Sequence, residues 1–342
     1  MARLWLRHEV RATEQRAAVT PADAARLVAA GHEVTVERSP QRVFPIEEYL
    51  AAGCTAAPAG SWAGAPADTY VIGLKELPDE PAALRHRHVY FGHAYKGQRG
   101  AADLLRRFTA GGGLLLDLEY LTDNDGRRLA AFGYWAGYVG AALAILHLRG
   151  SLEVPLHRLR RADLDAALGA SGERPKVLVL GALGRGGRGA RDACAAAGIL
   201  PTAWDIAETR ELDRPALLAH DILVNTVASA GPVTAFVTEA DLDDPARELR
   251  VISDVTCDVN SDCNVLPVYD RVTNWDEPVR ALRQGERPVH LIAIDNLPSL
   301  LPRESSEAFS AELGRHLLDL DSAPWRRAAG RFRKATEEDI HA

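Results

Sequence analysis

Two apolar runs in this 342-residue chain end on nitrogen bases, and a third ends on a carboxylate. YVIGL runs into Lys75, VYFG runs into His93 with Lys96 close behind, and LLLDL runs into Glu119. Strand ends are where α/β proteins meet small ligands, so these side chains are candidates for chemistry. A lysine and a histidine presented together can handle two different protons, and a nearby carboxylate can serve as counter-ion to either. Lysine acts as a base near neutrality only where desolvation or neighbouring cations lower its pKa, whereas histidine titrates there unaided. Arg16, ahead of Thr20-Pro21, and the pair Arg127 and Arg128 add positive charge. The set suits a small substrate with several negative charges. Each of these residues taken alone is also acceptable as a solvated surface charge.

A second kind of chemistry lies in KVLVLGALGRGGRGARDACAAAG, which starts at Lys176. Four apolar residues enter a turn holding Gly181, Gly184, Arg185, Gly186, Gly187 and Gly189, and an Ala-rich helix leaves it. The spacing departs from G-x-G-x-x-G, yet its physical purpose is served. Glycines let the backbone approach a pyrophosphate, and the helix N-terminus meets it with free N–H groups and positive dipole. Asp205 then closes the next short strand, in LPTAWDI. A carboxylate there can accept both ribose hydroxyls of NAD and repels the 2′-phosphate of NADP, although Arg210 nearby could offset that repulsion. The expected cofactor is NAD. Asp295, in IAIDNLPSLL, is a further candidate at this site or a cap for the turn that follows.

The elements that must position these groups alternate between short apolar strands and Ala-rich amphipathic helices, the signature of parallel βα units. RLWLRHE, HEVTVERS, DTYVIGLK, HVYFGHAYK and GGLLLDLEY read as strands of one domain; KVLVLG, LPTAWDI, AHDILVNTV, ELRVISDVT and VHLIAIDNL read as strands of another. The expected fold is α/β, two doubly wound, Rossmann-like domains with an interdomain cleft. Residues 1–128 with 300–342 form the substrate and catalytic domain, and 129–299 form the NAD-binding domain. The uncharged stretch from Leu129 to Leu148 is long enough to span a bilayer. Its alanines and its glycines at 133, 137 and 140 suit close helix packing instead, so it reads as a helix buried between the domains. A charged span to Pro175 reads as a helical spacer or linker.

Composition narrows the function classes. A hydrophobic content of 47% with 25% charged residues is ordinary for a globular chain and argues against disorder. A net charge of −7 leaves no basic footprint for nucleic acid. Four cysteines, at 54, 194, 257 and 263, are too sparse for a disulfide scaffold. Cys257 and Cys263 lack the spacing and the following histidine of a zinc site, so no metal is expected. The N-terminus has no secretory pattern and a cytoplasmic enzyme is expected, with no membrane partner.

In chain order, EQRAAVTP, SPQRVFPIEEY, PAGSW, GLKELP, HAYKGQ, DLEYL, DGRRLAAFGYWAG, GALGRGGRGA and IDNLPSLLPRESS resemble the NAD-dependent, lysine-forming saccharopine dehydrogenases of fungi. The resemblance runs from residue 3 to about residue 330. That family is similar in turn to alanine dehydrogenase and to the nicotinamide transhydrogenase domain. The resemblance implies oxidation of a secondary amine joining lysine to a glutamate skeleton, followed by hydrolysis of the imine to lysine and 2-oxoglutarate. It makes Lys75 the base for the amine proton and His93 the acid-base group of imine hydrolysis. Arg16, Lys96 and Arg128 match positions near substrate carboxylates, and Glu119 one that tunes the two bases. Gly181, Gly184, Arg185, Gly186, Gly187, Asp205 and Asp295 correspond to the dinucleotide site. One departure sits in the glycine turn, where Gly186 follows Arg185 and the fungal form can have a cysteine. An opine-type reductase for another amino acid and 2-oxo acid, an alanine dehydrogenase-like enzyme and a non-catalytic dinucleotide-binding protein are the alternatives. Family resemblance favours a monomer.

Overall fold

Short Val-, Leu- and Ile-rich runs separated by helices can pair side by side only through crossovers, and both halves of the chain are built that way. The computed structural model describes residues 1–340 except 96, 97, 99, 230, 232, 260 and 262. The chain divides into two units, Met1–Ala131 with Ser305–Ala342, and Phe132–Glu304.

In the first unit, β1 (Arg3–Leu6), β2 (Glu33–Glu37), β3 (Thr55–Ala57), β4 (Tyr70–Ile72), β5 (Arg87–Tyr90) and β6 (Leu114–Asp117) form one sheet in the order β3-β2-β1-β4-β5-β6. Every pairing is parallel. The crossovers include α1 (Pro21–Ala29), α2 (Ile46–Ala51) and α3 (Ala101–Gly111). Thr20 caps α1 by accepting the Asp23 N–H, and Pro21 occupies the first turn, where its missing N–H costs nothing. The C-terminal helices, Pro302–Leu317 and Ala323–Ile340, return to this unit. Ser306 and Ser310 meet the start of the chain there as acceptors: each hydroxyl oxygen accepts a backbone N–H, from Ala17 and Thr20 respectively, both at 2.9 Å.

The second unit opens with α4 (Gly133–Leu148) and α5 (Arg161–Gly169). Its strands are β7 (Val177–Leu180), β8 (Thr202–Trp204), β9 (Ile222–Asn225), β10 (Val251–Asp254), β11 (Arg280–Arg283) and β12 (Val289–Ile292). They run in the order β11-β12-β10-β9-β7-β8, and β11 alone pairs antiparallel. The helices α6 (Arg185–Ala196) and α7 (Ile206–Thr209) follow β7 and β8.

The uncharged stretch is α4, apolar on all sides and buried along nearly its whole length, as such a helix must be. It lies against α6 through glycines: a Cβ on Gly137 would stand 1.8 Å from Gly186 O, and one on Gly189 1.9 Å from Tyr134 O. Among the described residues, no helix is long and apolar enough to cross a membrane.

Candidate active site

The strand order of the first sheet reverses direction between β1 and β4, and this reversal singles out their C-terminal ends as the place where a ligand is met. Lys75 stands just beyond β4, His93 just beyond β5 and Glu119 just beyond β6, so three neighbouring strands present them along one edge. Adjacent strands are about 4.8 Å apart, which suits groups that must share one small substrate. His93 Nδ1 is 3.5 Å from Glu119 Oε2; the histidine side chain is 58% exposed and the glutamate 17%. The His93 backbone has φ 50°, a left-handed conformation uncommon outside glycine and often found at functional sites. Asp117, at the end of β6, accepts the Glu119 N–H at 2.9 Å and so starts the 3₁₀ turn that carries Glu119. Burial raises the pKa of Asp117, against the opposing effect of that N–H.

Arg16 is buried and paired. Its Nε and Nη2 donate to the two oxygens of Glu14 at 2.8 and 2.6 Å, and its backbone N–H adds a third bond at 3.0 Å. Burial pushes the Glu14 carboxyl upward, but the Arg16 guanidinium and, more weakly, the Lys75 charge prevail and hold it below the ordinary range. Glu14 therefore connects the candidate anchor to the candidate base. The loop that carries it is tied by Gln41, whose Nε2 donates to the carbonyls of Glu9, Arg11 and Glu14 at 2.9, 2.9 and 3.1 Å. Glu14 and Gln41 are the residues that sequence reasoning missed; EQRAAVTP and SPQRVFPIEEY contain them, and only the fold brings them together. Arg128 is exposed, and its backbone forms an isolated antiparallel bridge with Thr122. Lys96 lies outside the described residues.

In the second unit the strand order reverses between β7 and β9, and the glycine turn leaves β7 at that point. Gly181 has φ 71°, and a Cβ on Gly187 would stand 2.2 Å from Gly181 O, so these two glycines are required by the turn itself. Gly184 is the exposed N-cap of α6 and brings no side chain over the first-turn N–H groups. That leaves the helix start open to an anionic group, with Arg185 and Gly186 in its first turn. Asp205 accepts the Leu183 N–H and the Ile206 N–H, both at 2.9 Å, which fixes its carboxylate beside the turn. Each carboxylate oxygen keeps a further acceptor site for a ribose hydroxyl. Leu183 and Ile206, 72% and 70% exposed, flank it with apolar surface suited to a base. The residues present therefore fit a dinucleotide. Asp295 is exposed in the turn after β12.

The four cysteines are free thiols. Burial raises Cys54 to about 11 and Cys194 to about 12, so neither is a thiolate near neutrality. Among the described residues, no group of three or more His, Cys, Asp or Glu is placed to hold a metal.

Residues 5–139 match the family model described as alanine dehydrogenase/PNT, N-terminal domain. The chain is 42% identical over 354 aligned residues to the saccharopine dehydrogenase (NAD(+), L-lysine-forming) of Schizosaccharomyces pombe, with 95% of this chain and 96% of the relative covered. It is 41% identical over 360 residues to the enzyme of the same name from Emericella nidulans, covering 96% of each. Among solved structures, an L-alanine dehydrogenase shares the fold at a TM-score of 0.69 with 16% identity, covering 99% of both chains. A transhydrogenase from Sinorhizobium meliloti does so at 0.65 with 14% identity, covering 93% of this chain and 94% of that one.

Proposed function

The chain belongs to the NAD-dependent, L-lysine-forming saccharopine dehydrogenases, and from that premise we propose how its residues divide the work. The reaction is the oxidative cleavage of saccharopine to L-lysine and 2-oxoglutarate, and its reverse is a reductive condensation. NAD, when bound, supplies the hydride acceptor. Lys75 takes the proton of the secondary amine as hydride leaves the α-carbon of the glutamate skeleton, and an imine results. His93 then takes a proton from water as its oxygen adds to the imine carbon. The imidazolium gives that proton to nitrogen; the neutral imidazole then takes the carbinolamine hydroxyl proton and delivers it to nitrogen as the carbon–nitrogen bond breaks, which leaves a carbonyl and a free amine. Glu119, 3.5 Å from the ring, orients the imidazole.

Arg16, Lys96 and Arg128 bind the substrate carboxylates, with Arg16 held as a fixed cation by Glu14. On the cofactor side, Gly184, Arg185 and Gly186 receive the pyrophosphate, beside the structural Gly181 and Gly187. Asp205 takes the adenosine ribose, and Asp295 contributes from the turn after β12. The observation that carries these roles is the row formed by Lys75, His93 and Glu119 at the ends of adjacent strands, with a buried Glu14–Arg16 pair whose carboxylate feels the Lys75 charge. Purified Lys75→Met and His93→Gln test them. Each is expected to lose about 100-fold or more in kcat with saccharopine while still binding NADH by fluorescence; full turnover in either removes that residue from the mechanism. We further read the enzyme as a cytoplasmic monomer, which sedimentation at working concentration checks.

A further inference from the structure

At the C-terminal end of β1 lies an ion pair that the reaction, as written above, does not use. Arg7 and Glu9 have side chains only 1% and 8% exposed, and Arg7 Nη1 is 3.2 Å from Glu9 Oε2. Burying two charges is costly, and a pair of this kind is weak evidence for stability unless it specifies something. What it specifies is visible in its remaining bonds. Glu9 accepts the N–H of Leu74 at 2.7 Å and the N–H of Lys75 at 3.0 Å, one on each carboxylate oxygen. Arg7 Nη2 donates to the carbonyl of Lys75, and Nη1 to the carbonyl of His8 at 3.1 Å. The backbone of Lys75 is thus gripped on both sides by ionised groups.

The grip sits where the sheet ladder stops. β1 and β4 pair as far as Leu6 and Ile72, and the Arg7 N–H still reaches Ile72 O at 3.0 Å. Beyond that point Glu9 and Arg7 replace the backbone partners that β1 would have supplied. Charge-assisted bonds are shorter and roughly twice as strong as neutral ones, so they fix this segment more firmly than solvated turn amides would. The clamp is itself held: Arg42 donates to Arg7 O at 3.2 Å, Gln41 donates to Glu9 O at 2.9 Å, and the Arg7 guanidinium lies 5.7 Å from the Tyr90 ring centre. Gly73 completes it. A Cβ there would stand 2.4 Å from Arg7 Nε, and no left-handed backbone requires the glycine, so the demand is for space alone.

We infer that Arg7 and Glu9 act as positioning residues, clamping the Lys75 backbone so that its amine meets the substrate nitrogen at the right place. The inference rests on the reading of Lys75 as the base. Misplacing a reacting group by about 1 Å can cost on the order of 100-fold in rate, which is what the clamp prevents.

The test uses full-length Glu9→Gln and Gly73→Ala, with Lys75→Met alongside. In Glu9→Gln one acceptor oxygen faces two N–H groups. In Gly73→Ala the guanidinium is crowded away from Lys75 while both charges remain. For each, kcat and KM for saccharopine, the pH profile of kcat/KM and the melting temperature are measured. The clamp predicts a fall in kcat of about tenfold to 100-fold with KM changed by less than about threefold. It also predicts that the limb of the profile reporting the base moves by about half a pH unit or more, because Lys75 shifts relative to Glu14. A lower melting temperature with wild-type kcat and an unmoved limb in the folded variants would overturn it, since a merely structural pair gives that result. If Glu9→Gln does not fold, Gly73→Ala decides by the same two readouts. Full turnover in Lys75→Met instead refutes the base assignment and the clamp with it. An inactive Lys75→Met beside wild-type kinetics in the clamp variants refutes the clamp alone.

Discussion

Glu14 shows how much a single buried carboxylate can settle. Its pairing turns Arg16 from a mobile cation into a fixed one, and its charge is felt at Lys75. The sign of its contribution to stability follows from its depressed pKa. Above the ordinary glutamate value of 4.5 the folded chain holds the carboxylate ionised and gains from it, and the gain is lost as pH falls through the lower folded value. Glu14→Gln leaves Arg16 buried with half its partnership, and breaking a buried pair costs about 3 kcal/mol. The expected outcome is a clear drop in unfolding free energy at pH 7, measured by denaturant, that narrows as pH is lowered below about 4.5. A constant difference across that range would assign the effect to packing instead. Lys75, His93 and Glu119 were legible in the sequence because each closes an apolar run. Glu14 was not, because nothing in EQRAAVTP says that the chain folds back to place glutamate against arginine. Glu9 was hidden for another reason: the backbone it grips lies far along the chain, and only the β1–β4 pairing joins them.

At the scale of elements, the alternation of apolar runs and amphipathic helices was enough to recover the parallel strands that bear the site. β3 and β11 escaped it. Thr55–Ala57 has only three residues and Arg280–Arg283 alternates without a large apolar residue on each turn of the pleat, so neither rises above loop composition. The glycines of α4 and α6 were read as packing and as a phosphate turn; in the fold the two purposes meet, because Gly137 lies on Gly186 and Gly189 on Tyr134. Gly181 and Gly187 turn out to serve the turn's own geometry, and Gly184 is the one whose bareness faces outward. Gly137→Ala drives a methyl into the Gly186 carbonyl and is expected to destabilise by about 3 kcal/mol. Because α6 begins at the glycine turn, the same variant should bind NADH more weakly, measured by fluorescence titration at a temperature where it is still folded. Unchanged affinity would mean that the α4–α6 contact is structural support alone.

On the scale of the whole molecule, an acidic chain carries the candidate proton-handling groups on one unit and a glycine turn open to an anionic group on the other. In the proposed function the first serves a multiply charged small substrate and the second holds the hydride acceptor. Neither composition nor fold names the substrate: proteins as different as an alanine dehydrogenase and a transhydrogenase share this architecture. Identity to the fungal saccharopine dehydrogenases over nearly the full chain does name it. The most direct test is therefore the oxidation of NADH by purified protein with L-lysine and 2-oxoglutarate, run beside ornithine with 2-oxoglutarate and lysine with pyruvate or glyoxylate. The account predicts steady turnover with lysine and 2-oxoglutarate, at a kcat/KM about 100-fold or more above the pyruvate and glyoxylate pairs, because a shorter acid leaves a carboxylate anchor unpaired, and about tenfold or more above ornithine, which is one methylene shorter. Turnover with another pair and none with lysine and 2-oxoglutarate would contradict it.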